Sequence, residues 1–144
     1  MNACEFWKAL QGLDPSNPDF EASIEQLIGR VDPSDRVGLI DRTFGFFEAH
    51  PAQDLGSPGG LVHFVEQFYP EYKARLLFSL RKEPSLSAVW MANRILNSKL
   101  RDAERAGYFA ALEGVTANPA VDARIRSFAE RFVNLQRGKI REDL

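Results

Sequence analysis

The chain has 144 residues, enough for one domain able to bury most of its unfolded surface without disulfides or metal. Hydrophobic residues make up 44% and charged residues 26%, with eleven Phe to fill an interior; the single cysteine, Cys4, excludes an intrachain disulfide. The net charge of −2 conceals an asymmetry, −6 over residues 1–57 against +4 over residues 58–144, which can orient an encounter with a charged partner without naming one.

The opening Met1-Asn2-Ala3-Cys4-Glu5-Phe6-Trp7-Lys8 has neither the basic nor the apolar region of a signal peptide. Apolar runs are a few residues long, far short of the ~20 that a membrane span requires, so the expectation is a soluble cytoplasmic protein. Phe6 and Leu10 lie four apart in a first predicted helix, with Trp7 beside them. Phe20, Ile24, Leu27 and Ile28 form a stripe in a second; Val37, Ile40, Phe44 and Phe47 recur at helical spacing in a third, ending near His50-Pro51. Residues 51–60 are rich in Pro and Gly and read as a loop. Leu61–Tyr69 predicts a short helix, and Pro70 starts the next, carrying Tyr72, Leu76, Leu77 and Leu80.

A central helix is predicted from Pro84, apolar around most of its girth. Ala88, Val89, Met91, Ala92, Ile95 and Leu96 form one broad arc, and Leu86 and Trp90 stack four apart on the other side, among Asn93, Arg94 and Asn97. Such a helix has to be sandwiched between others. A further helix is predicted over Lys99–Glu113, and a last one over Pro119–Arg137, whose stripe of Val121, Ile125, Phe128, Phe132 and Leu135 leaves the other face charged, as suits a terminal helix. Asp14-Pro15, Asn17-Pro18, Asp32-Pro33, Glu83-Pro84 and Asn118-Pro119 mark helix starts, with Pro expected at the first helical position. No period-two alternation and no Asn-Gly or Asp-Gly hairpin occurs. The expectation is one all-α domain over residues 1–144, of about seven or eight helices in irregular HEAT-like stacking. The 35-residue spacing of the last two Pro starts suits such a hairpin repeat, and a compact bundle is the alternative.

The residues of chemistry are sparse. His50 falls at a helix end and His63 in an apolar segment, without HExxH or a Cys/His cluster, so no metal and no cofactor is expected. Ser57, Ser79, Ser85, Ser87 and Ser98 have no G-x-S-x-G elbow to present them, and Gly56-Ser57-Pro58-Gly59-Gly60 is neither a Walker loop nor a dinucleotide turn. Glu21 with Glu25, and Asp41 with Glu48, are spaced to share a helix face. They suit an acid–base pair in principle, and an acidic surface for a basic partner more readily. Arg94, Arg101, Arg105, Arg124, Arg126, Arg131, Arg137 and Arg141 are diluted by Glu104, Glu113, Asp122 and Glu130, so no nucleic-acid partner is expected. Trp90, Asn93, Arg94 and Asn97 make the most unusual polar cluster: either they bond the ends of neighbouring helices, or Trp90 and Arg94 anchor an interface.

The segment Pro84-Ser85-Leu86-Ser87-Ala88-Val89-Trp90-Met91-Ala92-Asn93-Arg94-Ile95-Leu96-Asn97-Ser98, preceded by Leu76–Leu80 and by Gly59-Gly60, resembles small all-helical immunity proteins of bacterial polymorphic toxin systems, both contact-dependent and type VI. The likeness covers roughly residues 60–115 and the chain's size and helical character. The resemblance implies a non-enzymatic protein that binds a cognate toxin domain, often a nuclease with a basic groove, and occludes its active site or substrate surface. The resemblance assigns no individual contact; charge match to a basic toxin makes Glu21, Glu25, Asp41 and Glu48 expected contacts, and the use of Trp and Arg as interface anchors adds Trp90 and Arg94. A HEAT-like adaptor of a housekeeping complex is the competing expectation.

Overall fold

The structure, a computed structural model, describes residues 1–56 and 59–142, so Ser57 and Pro58 of the Gly-rich connector lie outside the described residues. Eight α-helices are described: α1 Ala3–Gln11, α2 Phe20–Ile28, α3 Arg36–Ala49, α4 Gly60–Glu66, α5 Lys73–Lys82, α6 Leu86–Leu96, α7 Asp102–Ala117 and α8 Ala123–Glu142. The class is all-α, as the sequence pattern predicts.

Proline marks the helix starts, but not from the first helical position. Each Asx-Pro pair closes a turn ahead of the helix: Oδ1 of Asp14, Asn17, Asp32 and Asn118 accepts from the amides of Ser16, Asp19, Ser34 and Ala120 at 2.8–3.0 Å. A residue before proline is kept out of the α region, so its side chain reaches over the proline to the next N–H. The Ser34 amide and hydroxyl hold the Asp32 carboxyl below the usual carboxylate range. The helix then begins after the turn: α2 opens at Phe20 with no side-chain cap, whereas α3 and α6 each have one. Asp35 accepts from the Gly38 amide at 3.1 Å to start α3, and Ser85, not Pro84, caps α6 by accepting from the Ala88 amide at 3.1 Å. The last two helices start later and run further than their sequence pattern predicts; the Asn118-Pro119 turn accounts for the late start of α8.

α6 is the interior column that its two apolar sides require. It packs against α3, α5, α7 and α8, and Ala88, Val89, Met91 and Ala92 have no exposed surface. α7 and α8 form an antiparallel hairpin, with the Arg137 guanidinium 5.6 Å above the Phe109 ring. On the other side α3 carries α1, α4 and α5. Phe44 and Phe47 meet edge to face at 5.6 Å, and Phe20 and Phe46 stack at 6.0 Å.

Two stripe residues are corrected by the packing. Val37 is 78% exposed, because the buried face of α3, made by Leu39, Ile40, Thr43, Phe44, Phe46 and Phe47, leaves Val37 at its margin. Leu135 is 48% exposed, because α8 turns Ile125, Ala129, Phe132 and Val133 inward, and Gln136 occupies the centre of that stripe. α8 is nonetheless one-sided, as expected of a terminal helix. No described helix is long and apolar enough to cross a membrane.

Gly107 and Gly114 sit on the exposed side of α7, and a Cβ added at either would meet nothing within 4 Å. Gly inside a helix is less favourable than Ala by about 0.5–1 kcal/mol. Gly107→Ala and Gly114→Ala are therefore each expected to stabilise the fold by about that amount, read as a rise in urea midpoint at constant slope.

Candidate functional site at the end of helix α6

The polar side of α6 is joined to its neighbours residue by residue. Trp90, half-buried, meets Phe132 edge-on at 4.9 Å and Phe128 at 6.0 Å, both on α8. Arg94 reaches the end of α4, where Nε and Nη2 donate to Glu66 Oε2 and Oε1 at 2.8 and 3.1 Å. That paired geometry raises the guanidinium pKa further and fixes its plane. Asn93 and Asn97, one turn apart, both point Oδ1 at the side chain of Gln136, whose Nε2 donates to them at 2.8 and 3.0 Å.

The direction of this amide chain follows from one cation. The Lys139 ammonium, a donor only, also bonds Asn97 Oδ1, so that atom is the oxygen. The Gln136 end facing it must then be nitrogen, and the Asn93 end facing Gln136 must be oxygen. Both Nε2 hydrogens are used. Arg105 closes the same helix end, donating from Nη1 and Nη2 to the carbonyls of Leu96 and Ser98 at 2.8 and 3.1 Å.

Two open clefts flank this point and share Asn97 and Ser98. One, of about 390 Å³, is lined by Glu66, Tyr69, Tyr72, Arg94, Ile95, Asn97 and Ser98. The other, of about 640 Å³, lies between α6, the N-terminal half of α7 and the end of α8, and includes Phe109, Gln136 and Ile140. All three tyrosines of the chain gather beside the first cleft. Tyr69 and Tyr72 meet edge to face at 5.5 Å, Tyr69 donates to Glu104 Oε2 at 3.3 Å, and Lys73 lies 3.5 Å from that oxygen and 5.8 Å from the Tyr108 ring centre. Tyr69 is 39% exposed, whereas Tyr72 and Tyr108 are buried.

Burial, with Glu66 adding to it, pushes the Tyr72 hydroxyl well above the usual phenol range; burial, then Tyr69, does the same to Tyr108. A group whose folded pKa is raised contributes stability below its unfolded value, near ~10 for tyrosine, and loses it as pH climbs toward the folded value. Stability is thus expected to fall above the ordinary tyrosine pKa, and the Tyr72→Phe/Tyr108→Phe double variant should flatten that fall. Urea melts across alkaline pH read it; an unchanged slope would contradict the assignment.

The acidic residues are distributed otherwise than as one free surface. Asp41 and Glu48 converge on Arg75: Nε donates to Asp41 Oδ1 at 3.0 Å, and Nη1 and Nη2 donate to Glu48 at 2.7 and 2.8 Å. Glu48 first, then Asp41, raises the Arg75 pKa. Glu21 accepts from the Gly60 amide at 3.1 Å, where α4 begins. Glu25 is exposed on α2 and has no side-chain partner among the described residues. Arg94 lines the tyrosine cleft, and Trp90 packs away from it on α8.

Comparison with protein-family models, with curated proteins and with solved structures finds no match for the chain. What the site can do must therefore be read from its own groups. Ser98 donates its hydroxyl to the Ile95 carbonyl at 2.6 Å, and Ser85 is a cap. His50 Nδ1 lies 2.8 Å from Gln53 Oε1, and His63 Nδ1 lies 3.6 Å from Glu66. Among the described residues no group of three or more His, Cys, Asp and Glu is placed to hold a metal ion. The clefts offer oriented donors and acceptors on apolar walls, the equipment of recognition.

The tyrosine cluster and the part played by Gln136 do not emerge from the sequence pattern. Tyr69 and Tyr72 share the connection between α4 and α5, but Tyr108 comes from α7, and no spacing rule brings it to them. Gln136 did leave a trace: it falls four after Phe132, a polar residue on an apolar stripe.

Proposed function

We propose that this protein is a binding module that grips another protein, and specifically an immunity protein acting in the cytoplasm, covering the active site or substrate surface of a cognate bacterial toxin domain. The observation that carries it is the cleft at the end of α6, where Tyr69 and Arg94 are half-exposed and already held in place by Glu104 and Glu66. Tyr and Arg are the residue types whose truncation most weakens protein interfaces, and side chains fixed before contact lose little freedom on binding. The resemblance of the Pro84–Ser98 segment and the size of the chain support the finer reading. An acidic surface matched to a basic toxin draws less support, because Glu21, Asp41 and Glu48 already have partners within the chain.

Co-expression with the product of the adjacent gene tests the proposal. A complex that survives purification, protects cells and weakens about tenfold or more in Tyr69→Ala is the expected result; absence of any complex would refute it. A HEAT-like adaptor is the second reading. It is favoured by the α7–α8 hairpin and by a groove of about 490 Å³ between α5 and α7, lined by Leu77, Leu80, Arg81, Gly107, Ala111 and Gly114 among others. A neighbouring gene for a large secreted protein with a variable C-terminal domain would favour immunity over the adaptor.

A further inference from the structure

We propose that Tyr108 is a positioning residue for the partner contact at the tyrosine cleft: when a partner covers Tyr69, the Tyr69 oxygen accepts the buried Tyr108 hydroxyl, and the two side chains act as one unit; this rests on the protein-binding reading above. Tyr108 has no exposed surface. Among the described residues its hydroxyl is the one buried side-chain group without a hydrogen-bond partner. A buried donor left unpaired opposes folding, so any change that pairs it is favoured.

The surroundings decide which acceptor is within reach. Burial first and then Tyr69 raise the Tyr108 pKa, so the two hydroxyls are neighbours, yet their geometry stops short of a hydrogen bond. Tyr69 donates its own O–H to Glu104 Oε2 at 3.3 Å, longer than the about 2.7–2.8 Å usual for such a bond. Glu104 stands one turn before Tyr108 on α7, and Lys73, 3.5 Å from the same carboxylate oxygen, anchors it as the end of a chain. A phenol oxygen that donates still has lone pairs with which to accept. Tyr69 is also the member of the cluster that a partner can touch, being 39% exposed and on the wall of the cleft. A partner laid over it excludes water, and hydrogen bonds strengthen in the drier surroundings. A small shift of Tyr69 toward α7 then shortens the bond to Glu104 and closes the one from Tyr108.

The test is a double-mutant cycle with the product of the adjacent gene as the probe. Affinity by calorimetry and stability of the free protein by urea melts are measured for wild type, Tyr108→Phe, Tyr69→Phe and the two combined. Tyr108→Phe is expected to leave the urea midpoint of the free protein unchanged or slightly raised, because the hydroxyl it removes has no partner there. It should nonetheless weaken the complex about fivefold, the size of one neutral hydrogen bond, although the residue lies wholly beneath the surface. Placed on top of Tyr69→Phe it should weaken nothing further, because the acceptor is already gone. A hydroxyl that served the fold alone would lower the midpoint and leave affinity unchanged, and that result overturns the proposal. Independent, additive losses from the two substitutions overturn it as well. Wild-type affinity in Tyr108→Phe would remove the part given to Tyr108 while leaving the binding module standing. No complex with wild type would refute the binding module itself, and the part given to Tyr108 falls with it.

Discussion

Arg75→Met is expected to lower the unfolding free energy by about 3 kcal/mol, the low end for breaking a buried ion pair. The low end applies because Arg75 and Glu48 are 20% and 12% exposed, whereas Asp41 is 53% exposed. Methionine keeps the aliphatic stem but strips the Glu48 carboxylate of its guanidinium partner, while Asp41 retains Arg42 at 3.0 Å. It also removes a guanidinium lying 5.4 Å from the Phe44 ring centre and 5.6 Å from that of Phe78. Adding Glu48→Gln to the same chain should restore part of the loss, because the carboxylate stranded by the loss of Arg75 is then gone. Urea denaturation of the single and double variants measures it. A single variant as stable as wild type would mean the triad is a solvated surface arrangement. The same geometry changes the meaning of charge reversal at Asp41 and Glu48, which would break an internal contact as well as alter the surface.

Trp90→Ala is expected to cost about 3 kcal/mol, since the ring contacts both Phe128 and Phe132 and its loss uncouples α6 from α8. Trp90→Phe keeps an aromatic edge there and should cost about a third of that. Affinity for a partner, measured on the folded fraction, separates the two roles considered for this residue. A variant that melts normally and binds poorly would make Trp90 an anchor, against the packing seen here.

The class of the fold was legible because it depends on periodicity alone. The two apolar sides of the Leu86–Leu96 segment required neighbours on both, and α6 has them. Helix boundaries were less legible: the Asx-Pro pairs marked the right places but act through turns, as where Asp35 caps α3 after the Asp32-Pro33 turn, and after Glu83-Pro84 it is Ser85 that caps α6. Partnership was least legible. Asp41 and Glu48 share a helix face with or without Arg75 nearby, and only the packing of α5 beside α3 brings that cation to them. Charge counts by segment cannot distinguish a carboxylate that faces solvent from one closed on an arginine. The tyrosine cluster and the amide chain through Gln136 likewise come from tertiary proximity across segments.

The column formed by α6 has a consequence for how the molecule comes apart. It shares surfaces with α3 and α5 before it in the chain and with α7 and α8 after it. A fragment ending anywhere along 97–101 would therefore carry an uncovered apolar flank, and so would its complement. Neither half can persist alone, the two should reassemble when mixed, and the intact protein should melt in a single step with no stable half-folded species.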